Sequence, residues 1–206
     1  MNRVAIVDYG MCNLDSVRRA VEECGGEAIV TDEGADLDRA DRIILPGVGA
    51  FPEAMANLRA RELDKLLAEQ VLAQDAPFLG ICLGMQLMAT TGIEVEPTDG
   101  LGWIPATVER LVPTATDRRV PHMGWNEVDP APGCALFAGI AERTDFYFVH
   151  SFHVACDDAA NVAATTPYCG GFTSAVQRGD TVFGVQFHPE KSQKAGFALL
   201  RNFLAI

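Results

Sequence analysis

The sequence predicts one mixed α/β domain, with a largely parallel sheet flanked by helices in its first half and antiparallel strands in its second. Three observations carry this. A chain of 206 residues is near the upper size of a single domain and buries roughly 70% of its unfolded surface, enough for a core without staples. Its first half alternates short apolar runs with helix-period segments, and strands bounded by helices imply right-handed crossovers and a parallel sheet covered on both faces. Its second half changes rhythm to short strands separated by Pro, Gly and Asp.

The elements follow in order. Val4 to Val7 is an apolar run ending in Asp8-Tyr9-Gly10, a buried strand entering a turn. Leu14, Val17, Ala20 and Val21 recur at helical spacing, with Asn13 as N-cap and Gly25-Gly26 as the stop. Ala28-Ile29-Val30 and Arg42-Ile43-Ile44-Leu45 are further strands, and Glu53 to Ala73 is helix-rich with a leucine stripe. Pro77 to Ile81 is another buried strand, and Leu83 to Thr90 reads as helix. Short strands are expected over 107–111, 126–128, 146–149, 152–154 and 162–165. Thr173 to Gln177 and Thr181 to Phe187 flank Arg178-Gly179-Asp180, a tight hairpin connection. Ser192 then caps a final helix running to Leu204. There is no internal repeat or linker, so residues 1–206 are expected to form a single domain.

Composition excludes several classes. Hydrophobic residues at 49% with 21% charged are ordinary for a folded domain and exclude disorder. A net charge of −12 argues against nucleic acid or anionic membrane as a partner. No apolar run approaches the roughly 20 residues of a membrane helix. The first apolar stretch meets Asp8 too soon for a signal peptide, so the expectation is a cytoplasmic protein. In that compartment the six cysteines are expected as free thiols, and none forms a Cys-x-x-Cys zinc pair. No metal or cofactor is expected.

Spacing singles out Cys82. Gly80-Ile81-Cys82-Leu83-Gly84 joins a strand-like run to a helix-like run, the form of a nucleophile elbow. Such a turn lifts the side chain clear of the sheet, and the glycines remove Cβ atoms that would collide. The helix start lowers a thiol pKa, and the Leu83 N–H points toward a tetrahedral oxyanion. The same pentapeptide also fits a buried cysteine between packing glycines. His188 and Glu190 follow a strand and, two apart, point the same way, so the carboxylate can orient the imidazole toward a nucleophile. Leu45-Pro46-Gly47-Val48-Gly49-Ala50-Phe51 also follows a strand, and its glycines allow an N–H of the Val48–Gly49 region to serve as second oxyanion donor. A phosphate loop is the rival there, but the required glycine spacing is missing.

These runs resemble the class I, triad-type glutamine amidotransferases. Gly80 to Gln86 and Phe187 to Glu190 carry the triad. Ile6 to Met11, Leu45 to Phe51, Pro121 to Asn126, Tyr147 to Ser151 and His188 to Ser192 are similar to the glutaminase subunits of imidazole glycerol phosphate synthases, over essentially the whole chain. The resemblance implies a flavodoxin-like three-layer fold with an added antiparallel region. It implies that Cys82 attacks the amide of L-glutamine, that His188 protonates ammonia and then activates water, and that Glu190 orients His188. Leu83, Val48 and Gly49 would form the oxyanion hole, with a peptide flip at Val48–Gly49. Gly49, Gln86, Ser151 and Phe152 would hold glutamine. Trp125 and Lys191 would meet a cyclase subunit with a (β/α)₈ barrel, which uses the ammonia to make imidazole glycerol phosphate and AICAR in histidine biosynthesis. A related amidotransferase with another acceptor, and a γ-glutamyl hydrolase or peptidase with the same elbow, remain as alternatives. Two positions depart from the family: Cys12 replaces a usual glycine, and Phe152 a common tyrosine.

The remaining polar residues have plain readings. His150 and His153 fall on opposite strand faces and make a poor metal pair, and His122 reads as a strand-edge residue. Trp103 reads as packing, and Glu94 to Asp99 and Asp32 to Asp41 as solvated charged segments.

Overall fold

A computed structural model describes residues 2–206. Its first half runs β1 (Arg3–Val7), α1 (Leu14–Glu23), β2 (Glu27–Thr31), α2 (Gly34–Leu37), β3 (Arg42–Gly47), α3 (Phe51–Ala60), α4 (Leu63–Ala68), β4 (Phe78–Cys82) and α5 (Leu83–Leu87). Its second half runs β5 (Ala89–Gly92), β6 (Thr98–Asp99), β7 (Ile104–Arg110), β8 (His122–Pro130), β9 (Thr144–His150), β10 (Phe152–Cys156), β11 (Val162–Thr166), β12 (Phe172–Arg178), β13 (Val182–Val185) and α6 (Gln193–Ala205).

β1 lies between β2 and β3, β4 lies beside β3, and β13 follows β4, with every one of these pairings parallel. Beyond β13 the sheet turns antiparallel at β12 and continues through β10, β7, β5 and β6, while β11, β8 and β9 branch from β12. The continuous apolar runs follow from coverage on both faces. Val4 and Ile6 of β1 pack with Val17 and Val21 of α1 and Phe203 of α6. Ala5 and Val7, one residue out of phase, pack with Leu58 of α3 and Leu67 of α4. This gives a three-layer arrangement whose strands β3, β4 and β13 end together at their carboxyl ends.

Several expected elements differ. The segment expected to be helix-rich over 53–73 is so, in separate pieces: Glu62 takes φ 56° between α3 and α4, and a π turn spans Glu69–Ala73. The helix expected to Thr90 stops at Leu87, and Ala89–Gly92 is strand. The Met88 carbonyl accepts from the N–H groups of Trp103 and Ile104, so a further helical turn has no acceptor there. Asn13 and Ser192 occupy the N-cap positions of α1 and α6 without making a side-chain cap bond. The charged segment 32–41 contains α2, whose Leu37 is buried. Cys12 keeps clear of the left-handed region, which Gly10 occupies with φ 88°, so the departure from glycine brings no backbone strain. Among the described residues, no helix is long and apolar enough to cross a membrane.

Candidate active site

Cys82 ends β4 at φ 55°, ψ −109°, a conformation that costs about 1–3 kcal/mol in isolation and persists because its surroundings determine it. β3 pairs Gly47 with Cys82, so the strand end is held on one side, and α5 begins at the next residue. The glycines allow the close approach. A Cβ on Gly80 would stand 2.7 Å from the Gly84 carbonyl oxygen, and one on Gly84 would strike the Leu45 carbonyl oxygen. Strand, turn and helix therefore meet backbone to backbone, and the thiol stands at their junction.

His188 and Glu190 arrive from the carboxyl end of β13, the strand beside β4. His188 Nδ1 donates to Glu190 Oε1 at 2.8 Å, with both side chains almost wholly buried. Its Nε2 is buried without a hydrogen-bond partner, and His188 lines the same cavity as Cys82. Burial opposes a charge on His188, yet its interactions with Cys82 and Glu190 outweigh that and push its pKa up to about 10. The ring therefore retains a second proton at neutral pH. The His-Pro-Glu turn is braced by Ser192. Its Oγ donates to the His188 carbonyl at 2.7 Å and accepts from Tyr147 N–H at 3.0 Å, while His188 N–H donates to the Tyr147 carbonyl. Ser192 thus fixes the triad turn rather than capping α6.

The Leu83 N–H opens α5, where the first N–H groups have no partner within the helix. Across the cavity, Val48 N–H donates to the Met11 carbonyl at 2.8 Å, and Gly49 holds φ 109°. In this arrangement the Val48 donor is turned to Met11, and its use at an oxyanion requires that bond to break.

The cavity, about 360 Å³, is lined by Val48, Gly49, Cys82, Leu83, Gln86, Ser151, Phe152 and His188 among others, so every expected oxyanion and substrate position reaches one space with Cys82 and His188, while Glu190 stays behind the His188 ring. Gln86 Nε2 donates to the Phe152 carbonyl and to Gln186 Oε1, both at 3.0 Å, and Gln186 Nε2 lies 3.6 Å from the Cys82 thiol. Two polar lining residues escaped the sequence reading. Glu94, expected in a solvated loop, accepts from Phe51 N–H at the start of α3 at 2.7 Å and places a carboxylate on the cavity wall. His150 also lines it. His122, expected at a strand edge, is buried and stacks on Tyr168 with ring centroids 4.0 Å apart. Only contacts across more than forty positions bring Glu94 to Phe51, and no local pattern marks such a pair.

Beside the cavity, Trp125 is 48% exposed and meets the Tyr147 ring edge-on at 6.0 Å, and Lys191 Nζ lies 6.0 Å from the same ring centroid. Trp125 and Lys191 therefore share one surface. All six cysteines are free, and no group of three or more His, Cys, Asp or Glu among the described residues is placed to hold a metal ion. A thiol, an imidazole with its carboxylate and the first N–H of a helix at one cavity suit acyl transfer through a covalent thioester.

Residues 5–206 match the family model for glutamine amidotransferase class-I. The chain is 46% identical over 209 aligned residues to the imidazole glycerol phosphate synthase subunit HisH 2 of Nitrobacter winogradskyi, covering 99% of this chain and 98% of that protein. It is 48% identical to the HisH subunit of Moorella thermoacetica, covering 98% of this chain and 94% of that one. Among solved structures, PurLQS from Thermotoga maritima superposes with a TM-score of 0.75 at 20% identity, covering 100% and 99% of the two chains, a likeness of fold.

Proposed function

This chain belongs to the class I glutamine amidotransferases, and we infer from that premise that it is the glutaminase subunit of an imidazole glycerol phosphate synthase, serving histidine biosynthesis. The observation that carries the catalytic reading is that Cys82 and His188 line one cavity, with His188 Nδ1 held by Glu190 and Nε2 left free.

Cys82 sulfur attacks the side-chain amide carbon of L-glutamine, and the carbonyl electrons move onto oxygen. Leu83 N–H receives that oxyanion, joined by the Val48–Gly49 region once Val48 leaves Met11. His188 gives a proton to the departing nitrogen, the C–N bond breaks, and ammonia leaves a γ-glutamyl thioester on Cys82. His188 then takes a proton from water as it attacks the thioester, the C–S bond breaks, and glutamate departs, leaving Cys82 as the thiolate beside the protonated ring. Gly49, Gln86, Ser151 and Phe152 hold the substrate, and the Glu94 carboxylate faces its α-ammonium group. A cyclase subunit with a (β/α)₈ barrel docks over Trp125 and Lys191 and receives the ammonia. The domain acts as one unit over residues 1–206, because the two halves supply opposite members of the triad.

In Glu190→Gln, kcat for glutamine hydrolysis falls by about a hundredfold or more, because the amide no longer enforces the productive tautomer. Glu190 is one of the groups that raise the His188 pKa. Its loss lowers that pKa, so the alkaline limb of the rate profile moves to lower pH. A pH–rate series on parent and variant reads both effects.

The reading as a whole is tested by assaying glutamate and imidazole glycerol phosphate with the chain alone and with its cyclase. Because Val48 N–H rests on Met11, the isolated chain turns over slowly, and cyclase with its nucleotide substrate raises the rate at least about a hundredfold, the scale of one oxyanion donor. Full activity of the isolated chain on γ-glutamyl peptides favours the hydrolase alternative.

A further inference from the structure

A second set of polar groups behind the cavity has no part in the steps above. The Phe152 carbonyl accepts from His150 Nδ1 at 2.8 Å as well as from Gln86 Nε2 at 3.0 Å. His150 Nε2 lies 3.0 Å from His122 Nδ1, and His122 Nε2 lies 3.1 Å from Asn126 Nδ2. The direction of every bond is determined. A carbonyl only accepts, so His150 Nδ1 donates; the neutral ring then accepts at Nε2, and His122 donates from Nδ1. His122 Nε2 accepts from Asn126, whose Oδ1 is occupied by the Glu127 N–H at 2.9 Å, which sets the amide orientation. Both rings are buried, and burial lowers the pKa of His150 to about 3 and of His122 to about 4, so both stay neutral.

The chain of bonds has two ends. One is Asn126 on β8, next to the half-exposed Trp125. The other continues from Phe152 through Gln86 and Gln186 to the Cys82 thiol. His150 lines the cavity but cannot serve there as a base, because its Nε2 is committed to His122.

We propose that His122 and His150 are positioning residues, a one-directional relay from the β8 surface that holds the Phe152 carbonyl and, through Gln86 and Gln186, the nucleophile in the geometry glutamine requires. The proposal rests on the glutaminase reading. In the His150→Gln variant the amide oxygen can replace Nε2 as acceptor, but the donor to Phe152 is lost. In His150→Asn the amide nitrogen can replace Nδ1 and retain that donor. In the reconstituted complex, His150→Gln raises KM for glutamine about tenfold with kcat within about threefold, the scale of one buried hydrogen bond. His150→Asn returns KM to within about threefold of the parent. His122→Phe keeps the stack on Tyr168 but removes the donor to His150, and raises KM about fivefold. It carries the test if His150→Gln does not fold. Equal defects in His150→Asn and His150→Gln, or an unchanged KM in His122→Phe, overturn the relay while glutamine hydrolysis by the parent leaves the glutaminase reading standing. Absence of glutamine hydrolysis in the parent complex overturns both.

Discussion

Replacement of Cys82 by alanine abolishes glutamine-dependent synthesis, by at least about 10⁴-fold, while synthesis from ammonium salts by the same complex continues at the parent rate. The asymmetry follows from the division of labour. The thioester forms only on the Cys82 sulfur, whereas ammonia supplied from solution bypasses this chain. Cys82 is nearly buried, and alanine removes one sulfur without adding strain to a φ already at 55°. The fold and the complex therefore persist, and Cys82→Ser, closer in shape, provides a control for packing. Two measurements suffice: glutamate release, and product formed with each nitrogen source. Glutamine use surviving in the alanine variant would falsify the assignment of the nucleophile.

A single methyl group at Gly84 is expected to do comparable damage by a different route. In Gly84→Ala the new Cβ meets the Leu45 carbonyl oxygen, a rigid backbone atom in the central strand β3. Neither side can yield without shifting a strand buried on both faces, so the variant loses about 3 kcal/mol or more of stability. Whatever folds carries a displaced Cys82, since Gly84 and Cys82 share one turn. Urea unfolding together with glutaminase rate reads both consequences. A variant with parent stability and parent rate would show that β3 and α5 are farther apart than described.

Much of this was legible in the chain alone. The continuous apolar run of Val4 to Val7, the glycines two residues either side of Cys82, and the His188–Glu190 spacing are local patterns. Each expresses backbone geometry within a few residues, so the strands, the elbow and the His188–Glu190 pair could be placed without coordinates. Local patterns failed where a distant group supplied the missing partner. Thr90 reads as helix until the Met88 carbonyl is given to Trp103 and Ile104. Ser192 reads as a cap until Tyr147 N–H and the His188 carbonyl claim its hydroxyl. Glu94 reads as solvated until the start of α3 folds over it.

The sequence by itself thus determined the layered α/β fold, the strand-to-helix elbow at Cys82, the His188–Glu190 pair after a strand, and the likeness to glutamine amidotransferases. Only the tertiary structure decided that Val48 N–H rests on Met11, that Trp125 and Lys191 flank one tyrosine, and that His122 and His150 are joined behind the cavity. The reason is the range of the forces involved. Backbone geometry and side-chain period act within a turn or a strand, whereas a buried polar group takes whichever partner the completed fold brings within about 3 Å.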